Sequence, residues 1–117
     1  MMDREQFSNQ ERIWYVVALI PKGKVASYGL IADLAGLPKR SRFVSTALRK
    51  APTEMQLPWY RIVNAQGKIS LAKDSPLYEK QWDLLSADNI EVVKGQVNLS
   101  RYIWKPDLAE LLFILPF

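Results

Sequence analysis

The chain has 117 residues, 49% of them hydrophobic and 24% charged, with a net charge of +4. That length supports one core of ordinary size and leaves little room for two independent domains. It contains no cysteine and no histidine, which excludes disulfides, thiol nucleophiles, Cys/His zinc sites and imidazole acid–base catalysis. No stretch approaches the roughly 20 apolar residues of a membrane span. The polar opening Met1-Met2-Asp3-Arg4-Glu5-Gln6 lacks the apolar centre of a secretory signal. The expectation is a cytoplasmic domain over residues 1–117, with no membrane partner.

In chain order, Ser8-Asn9-Gln10-Glu11 has the form of a capping box, with Ser8 as N-cap and Glu11 three residues on. Ile13, Val16, Val17 and Ile20 follow at helical spacing, and Pro21 and Gly23 stop that helix. Ser27 caps a second helix through Tyr28, Ile31, Ala32 and Leu34 to Ala35, with Gly36 just past its end. A third helix runs from near Arg40 to about Lys50, before Pro52. Two short helices around a Gly-containing turn form a helix-turn-helix pattern. Arg61 to Leu71 reads as a hairpin about Asn64-Ala65-Gln66-Gly67, the wing of a winged helix. Ser75-Pro76 starts a fourth helix. Asn89–Val93 and Tyr102–Trp104 read as extended. The predicted fold is mainly α: a single winged-helix-like domain with a helix-turn-helix and a small β hairpin.

The charge is uneven. From Lys22 to Lys68 there are nine basic and two acidic residues, giving +7, whereas the remainder sums to −3. A basic segment of this kind marks a polyanion binder, and a solvated lysine-rich face is the bland alternative. On a helical wheel, Ser45, Thr46 and Arg49 fall within about 60° of Arg42, with Val44, Ala47 and Leu48 opposite. One face is therefore apolar. The other joins two guanidiniums to two small hydroxyl residues, which lets a helix backbone approach a nucleic-acid groove.

Pro58-Trp59-Tyr60-Arg61-Ile62-Val63 resembles the Pro-Cys-His-Arg-Val active-site motif of the O6-alkylguanine-DNA alkyltransferases. Trp stands for the acceptor Cys, and Tyr for His. Upstream, Ala26-Ser27-Tyr28-Gly29-Leu30-Ile31-Ala32 and Arg42-Phe43-Val44-Ser45-Thr46-Ala47-Leu48 resemble the family's Thr-Tyr-Gly-x-Ile-Ala and Arg-Ala-Val-Gly-x-Ala blocks, in the same order and spacing. Tyr-Ile-Trp-Lys-Pro at 102–106 resembles the ending of the alkyltransferase-like subgroup, which keeps the scaffold and lacks the acceptor cysteine.

The resemblance implies a role for each matching position. Tyr28 crowds the phosphate and helps rotate the nucleotide out, and Arg42 enters the stack in its place. Ser27, Ser41, Phe43, Ser45, Thr46 and Arg49 contact DNA, with the third helix in the minor groove. Pro58, Trp59, Tyr60, Val63, Ala72 and Lys73 form the lesion pocket, which Val63 and the loop near Ile69 to Lys73 close. Arg61 points back into the protein. The partners implied are duplex DNA carrying O6-alkylguanine and the proteins of nucleotide excision repair. The implied protein is a monomer, nucleoid-associated when on DNA, with no metal and no cofactor. It is not an enzyme, because an indole is a far weaker nucleophile than a thiolate.

Several positions depart from the family. Phe43 is bulky where the family is small or polar, and Ala51-Pro52 replaces Asn-Pro. Ala72 stands where some members carry a stacking arginine. Leu108–Phe117 is an apolar extension that either packs on the body or meets a partner. Two readings compete with the sensor: a winged-helix regulator reading sequence in the major groove, and a module whose basic face binds an acidic protein. A hydrolase is the weakest reading, because Asp33, Glu54 and Asp74 form no motif.

Overall fold

The computed structural model describes residues 7–117; the polar opening at 1–6 lies outside them. Helix α1 (Asn9–Ala18) starts at the expected capping box. Ser8 Oγ accepts from the Glu11 N–H at 3.2 Å and the Glu11 carboxylate accepts from the Ser8 N–H at 3.0 Å. That exchange holds the Glu11 carboxyl below its ordinary pKa. Helix α2 (Tyr28–Leu34) is capped by Ser27, whose Oγ accepts from the Leu30 N–H. Gly36 takes the left-handed conformation just beyond it, at φ +76°, where a Cβ would be strained. Helix α3 spans Ser41–Arg49.

These three helices enclose the first core, built on Ile13, Val16, Val17, Ile31, Ala32, Val44 and Ala47. Trp14 Nε1 donates to the Ala47 carbonyl at 2.7 Å and so ties α3 to α1. A second core gathers Val25, Val63, Ile69, Leu85, Ile90, Val97 and Tyr102 beneath α4 (Pro76–Ala87). The cores meet at a parallel pair of two-residue strands, β1 (Ala26–Ser27) and β2 (Ile62–Val63), with Ala26 opposite Ile62 and Ser27 opposite Val63. Successive strand side chains face opposite ways. Ala26 and Ile62 therefore enter the first core, while Val25 and Val63 enter the second.

This pairing corrects the predicted hairpin at 61–71. The turn forms, with Asn64 N–H donating to the Lys68 carbonyl and Asn64 Oδ1 accepting from the Gln66 and Lys68 N–H groups. Ile62-Val63, however, pairs with β1 and not with Ile69, whose N–H donates to the Gly95 carbonyl. Two fully buried residues gain more between two cores than on a solvated wing. The hairpin of the fold lies later, in β3 (Val92–Val93) and β4 (Gln96–Val97). Its turn residues Lys94 and Gly95 both have positive φ, the geometry that matches strand twist. Tyr102, expected to be extended, is the last residue of the short helix α5 (Leu99–Tyr102). Ile103 then bridges Val25.

The C-terminal extension forms α6 (Leu108–Ile114), capped by Asp107. It packs on the body. Leu111 is buried, Leu115 and Phe117 lie against the first core, and the Arg12 guanidinium covers the Phe117 ring. Leu108, Leu112, Phe113 and Ile114 stay exposed. Among the described residues no helix is long and apolar enough to cross a membrane.

Candidate nucleic-acid interface

Helix α3 presents the face read from the wheel. Arg42 and Arg49 are exposed, Ser45 and Thr46 are half-buried, and Val44 and Ala47 are fully buried. Ser41 is the helix's first residue and is half-buried; Arg40 occupies the N-cap and supplies no capping side chain. Phe43 packs partly against the first core, with the Arg40 guanidinium 4.9 Å over its ring. Its apolar bulk is thereby held partly against the core and covered by a cation. Ser27 ends β1, and its hydroxyl is engaged in capping α2. Tyr28 opens α2, and its Oη lies 2.8 Å from Ser70 Oγ.

The Pro58-Trp59-Tyr60-Arg61 segment turns sharply. Trp59–Arg61 is a 3-10 turn set off by Pro58 and running directly into β2. Trp59 is half-buried and meets the Tyr60 ring edge-on, with centroids 6.2 Å apart. The turn is held from beneath. Gln81, buried on α4, donates through Nε2 to the Tyr60 and Ile62 carbonyls at 3.0 and 2.9 Å. Arg61 points inward, as expected of it. Its Nε donates to Asp88 Oδ2 at 2.9 Å, its Nη1 to the Ile20 carbonyl at 2.9 Å, and its Nη2 to Tyr60 Oη at 3.1 Å. Tyr60 Oη donates in turn to the same Asp88 oxygen at 3.2 Å. Burial pushes the Tyr60 phenol above its ordinary pKa; the Arg61 charge opposes the shift, and the Asp88 charge and hydrogen bond add to it. Tyr60 therefore stays a neutral phenol across the physiological range.

The remaining pocket residues are placed unevenly. Val63 is fully buried and offers no exposed surface. Ala72 and Lys73 are exposed on the turn that leads into α4. Two surface cavities, of about 560 and 270 Å³, lie along Glu91–Tyr102 and beside Lys24 and Trp104, and neither includes an expected pocket residue. Among the described residues no cluster of three or more acidic side chains could hold a metal.

Two residues that hold the site escaped the sequence. Asp88 and Gln81 act on the 58–63 segment across 27 and about 20 residues of chain. Ser70 lies in the loop near Ile69 to Lys73 that the resemblance implies closes the pocket; its partner Tyr28, 42 residues away, was the part not legible. The available signal was a glutamine at helical spacing from Tyr78 and Leu85, since an amide on an apolar stripe needs partners.

A helix-turn-helix whose second helix carries exposed arginines has the form of a DNA-binding domain. The chain belongs to the family of the 6-O-methylguanine DNA methyltransferase DNA-binding domain, whose model matches residues 8–90, and to its alkyltransferase-like branch. It is 46% identical over 96 residues to the DNA base-flipping protein of Vibrio parahaemolyticus, covering 81% of this chain and 94% of that protein. It is 41% identical over 104 residues to the DNA base-flipping protein of Escherichia coli K12, covering 88% and 78%. The crystal structure of Schizosaccharomyces pombe Atl1 in complex with damaged DNA containing O6-carboxymethylguanine superposes with a TM-score of 0.76 at 32% identity. It covers 90% of this chain and all of that one.

Proposed function

We propose that this protein is a non-enzymatic sensor of O6-alkylguanine in duplex DNA. The basic segment draws it to phosphates, a salt-dependent and sequence-independent attraction. Helix α3 enters the minor groove, and Arg42 pushes into the stack while Tyr28 crowds the neighbouring phosphate. The alkylated guanine turns out beside Trp59 and Tyr60, with Lys73 and Ala72 at the rim. Turning out costs a few kcal/mol, and least for a badly paired base, which favours the lesion. The alkyl group adds apolar contact with the indole, about 0.8 kcal/mol per methylene buried.

The observation that carries this reading is the turn at 58–61. Its Pro and Arg match the family motif, the same match sets Trp59 against the acceptor cysteine, and Tyr60 is locked to Asp88 and Arg61. With no cysteine in the chain, alkyl transfer to sulfur has no acceptor. The protein then marks the site for nucleotide excision repair, as a monomer acting on DNA in the cytoplasm or nucleoid. The relatives' names, and the damaged DNA bound to the S. pombe protein, support the DNA partner.

The test is an anisotropy titration at fixed salt, comparing a duplex bearing one O6-methylguanine with its unmodified twin and following tryptophan fluorescence. The expected result is a preference of about tenfold, or 1.4 kcal/mol, with quenching. Equal binding to both duplexes overturns the sensor reading.

A further inference from the structure

We propose that Ser70 is a positioning residue for Tyr28, holding the phenol in its working orientation before DNA arrives. The inference rests on the sensor reading for what Tyr28 does, and on geometry for how Ser70 governs it.

Tyr28 Oη and Ser70 Oγ lie 2.8 Å apart. They belong to different halves of the molecule. Tyr28 packs against the first core at the first residue of α2, a start fixed by the Ser27 cap. Ser70 sits between Ile69, buried in the second core, and Leu71, packed against that core. Alternation along this extended stretch turns Ser70 outward, and it is exposed. The stretch is itself tied down, since Ile69 N–H donates to the Gly95 carbonyl at 3.0 Å and Lys68 bridges Gln96. Ser70 is therefore a fixed post on one core that catches a side chain rooted in the other.

An exposed neutral hydroxyl pair adds little to stability, so this contact is poorly explained as a brace. What it supplies is orientation. Without it the Tyr28 ring is held by its packing on the first core alone, and binding must complete the ordering of the phenol end; with it, that ordering precedes binding. The bond is compatible with one to DNA, since Ser70 can donate to the phenol oxygen and leave the phenol O–H to donate to a phosphate oxygen. Binding that turns a nucleotide out uses Tyr28, and binding that leaves the duplex stacked does not. Loss of Ser70 should thus weaken lesion binding selectively.

The experiment uses the full chain with Ser70→Ala and Ser70→Thr, titrated against the O6-methylguanine duplex and its twin. Ser70→Ala is expected to reduce the lesion preference about fivefold, the size of one net hydrogen bond. Affinity for the unmodified duplex should stay unchanged, and Ser70→Thr should restore the preference. A second readout needs no DNA. In fluorotyrosine-labelled free protein, the Tyr28 resonance, identified by Tyr28→Phe, should shift in Ser70→Ala and return in Ser70→Thr. An unmoved resonance overturns the proposal whatever the DNA data show. A moved resonance with an unchanged lesion preference also overturns it. A wild type without lesion preference sinks the sensor reading itself, a failure the resonance distinguishes from loss of the Tyr28–Ser70 contact.

Discussion

Arg61 and Asp88 form an ion pair at 2.9 Å, with only 14% and 8% of their side chains exposed. The same carboxylate oxygen also accepts from Tyr60. One acidic group at the end of α4 thus fixes both residues that follow Trp59. Removing one partner of a buried pair leaves the other charge uncompensated, which costs far more than the pair contributes. Asp88→Ala should lower unfolding free energy by about 3 kcal/mol, read by urea denaturation with an unchanged m-value. The double variant Arg61→Met/Asp88→Leu should lose clearly less than Asp88→Ala alone. If the double variant is the worse of the two, the Arg61 charge is not what Asp88 compensates.

The Tyr60 phenol gives this network a pH dependence. Its pKa is raised chiefly by burial, so the fold favours the protonated form. Such a group contributes stability that is fully present below its unfolded pKa, near 10, and is lost as pH rises through the higher folded value. Tyr60→Phe should therefore cost about 1 kcal/mol at neutral pH through the lost hydrogen bonds. The gap between the two proteins should be constant from about pH 6 to 9 and shrink above about 10. Paired denaturation curves across that range check it. A gap that closes on the acid side instead would show that Tyr60 is not the titrating group.

Much of the local structure was legible in the sequence because its causes are local. The Ser8–Glu11 box, the Ser27 cap and Ser75-Pro76 each name their helix start through bonds between residues two or three apart. The polar face of α3 followed from periodicity alone. What could not be read was pairing at a distance. Ile62-Val63 looks the same whether it meets Ile69 or Ala26-Ser27, and only the presence of two cores decides for the latter. The later hairpin hides for another reason. Its turn sets Lys94 in the left-handed region at φ +53°, where Asn or Asp would have announced it. Asp88 likewise looks like an ordinary helix-end acid until Arg61 arrives from 27 residues away.

Gly67 shows how tightly the 64–68 turn is set. It is buried at φ +83°, and a Cβ there would collide with the Val97 carbonyl oxygen. That neighbour is backbone and also accepts no easy displacement, because Val97 N–H donates to the Gly67 carbonyl at 2.8 Å. Gly67→Ala should destabilise by more than about 2 kcal/mol, combining backbone strain with overpacking. A thermal shift within a degree of wild type would contradict the close approach of these two segments.

Arg42 tests the polar side of α3. Its side chain is exposed at the start of the helix, next to the half-buried Phe43 and one turn from Ser45 and Thr46. No described ion pair restrains it, so its removal should leave stability within about 0.5 kcal/mol. Arg42→Ala should abolish the preference for the O6-methylguanine duplex and weaken binding to any duplex. The slope of log affinity against log salt should fall by about one unit. Arg42→Lys keeps the charge without the planar guanidinium, so it should recover the salt slope and not the preference. Full lesion preference in Arg42→Ala would remove this residue from the turning-out step.

Trp59→Cys asks whether the old chemistry is one residue away. The variant would carry a thiol where the motif match sets the family's acceptor, on a turn already shaped by Pro58 and pinned by Gln81. A thiol reacts as its thiolate, and its ordinary pKa near 8.5 leaves only a few per cent ionised at neutral pH. A neighbouring base would have to take the proton. Tyr60 cannot serve, because its phenol is held protonated above the ordinary range and its oxygen is already engaged by Asp88 and Arg61. Trp59→Cys should therefore bind the lesion duplex with weakened preference, having lost the indole wall. It should transfer no methyl group from labelled O6-methylguanine DNA over hours at pH 7.5. The double variant Trp59→Cys/Tyr60→His places an imidazole beside the same Asp88 carboxylate, where it can accept the proton. Measurable transfer by the double variant and none by the single one is the expected pattern. Efficient transfer by Trp59→Cys alone would show that the Tyr60–Asp88–Arg61 network does not keep this site from nucleophilic chemistry.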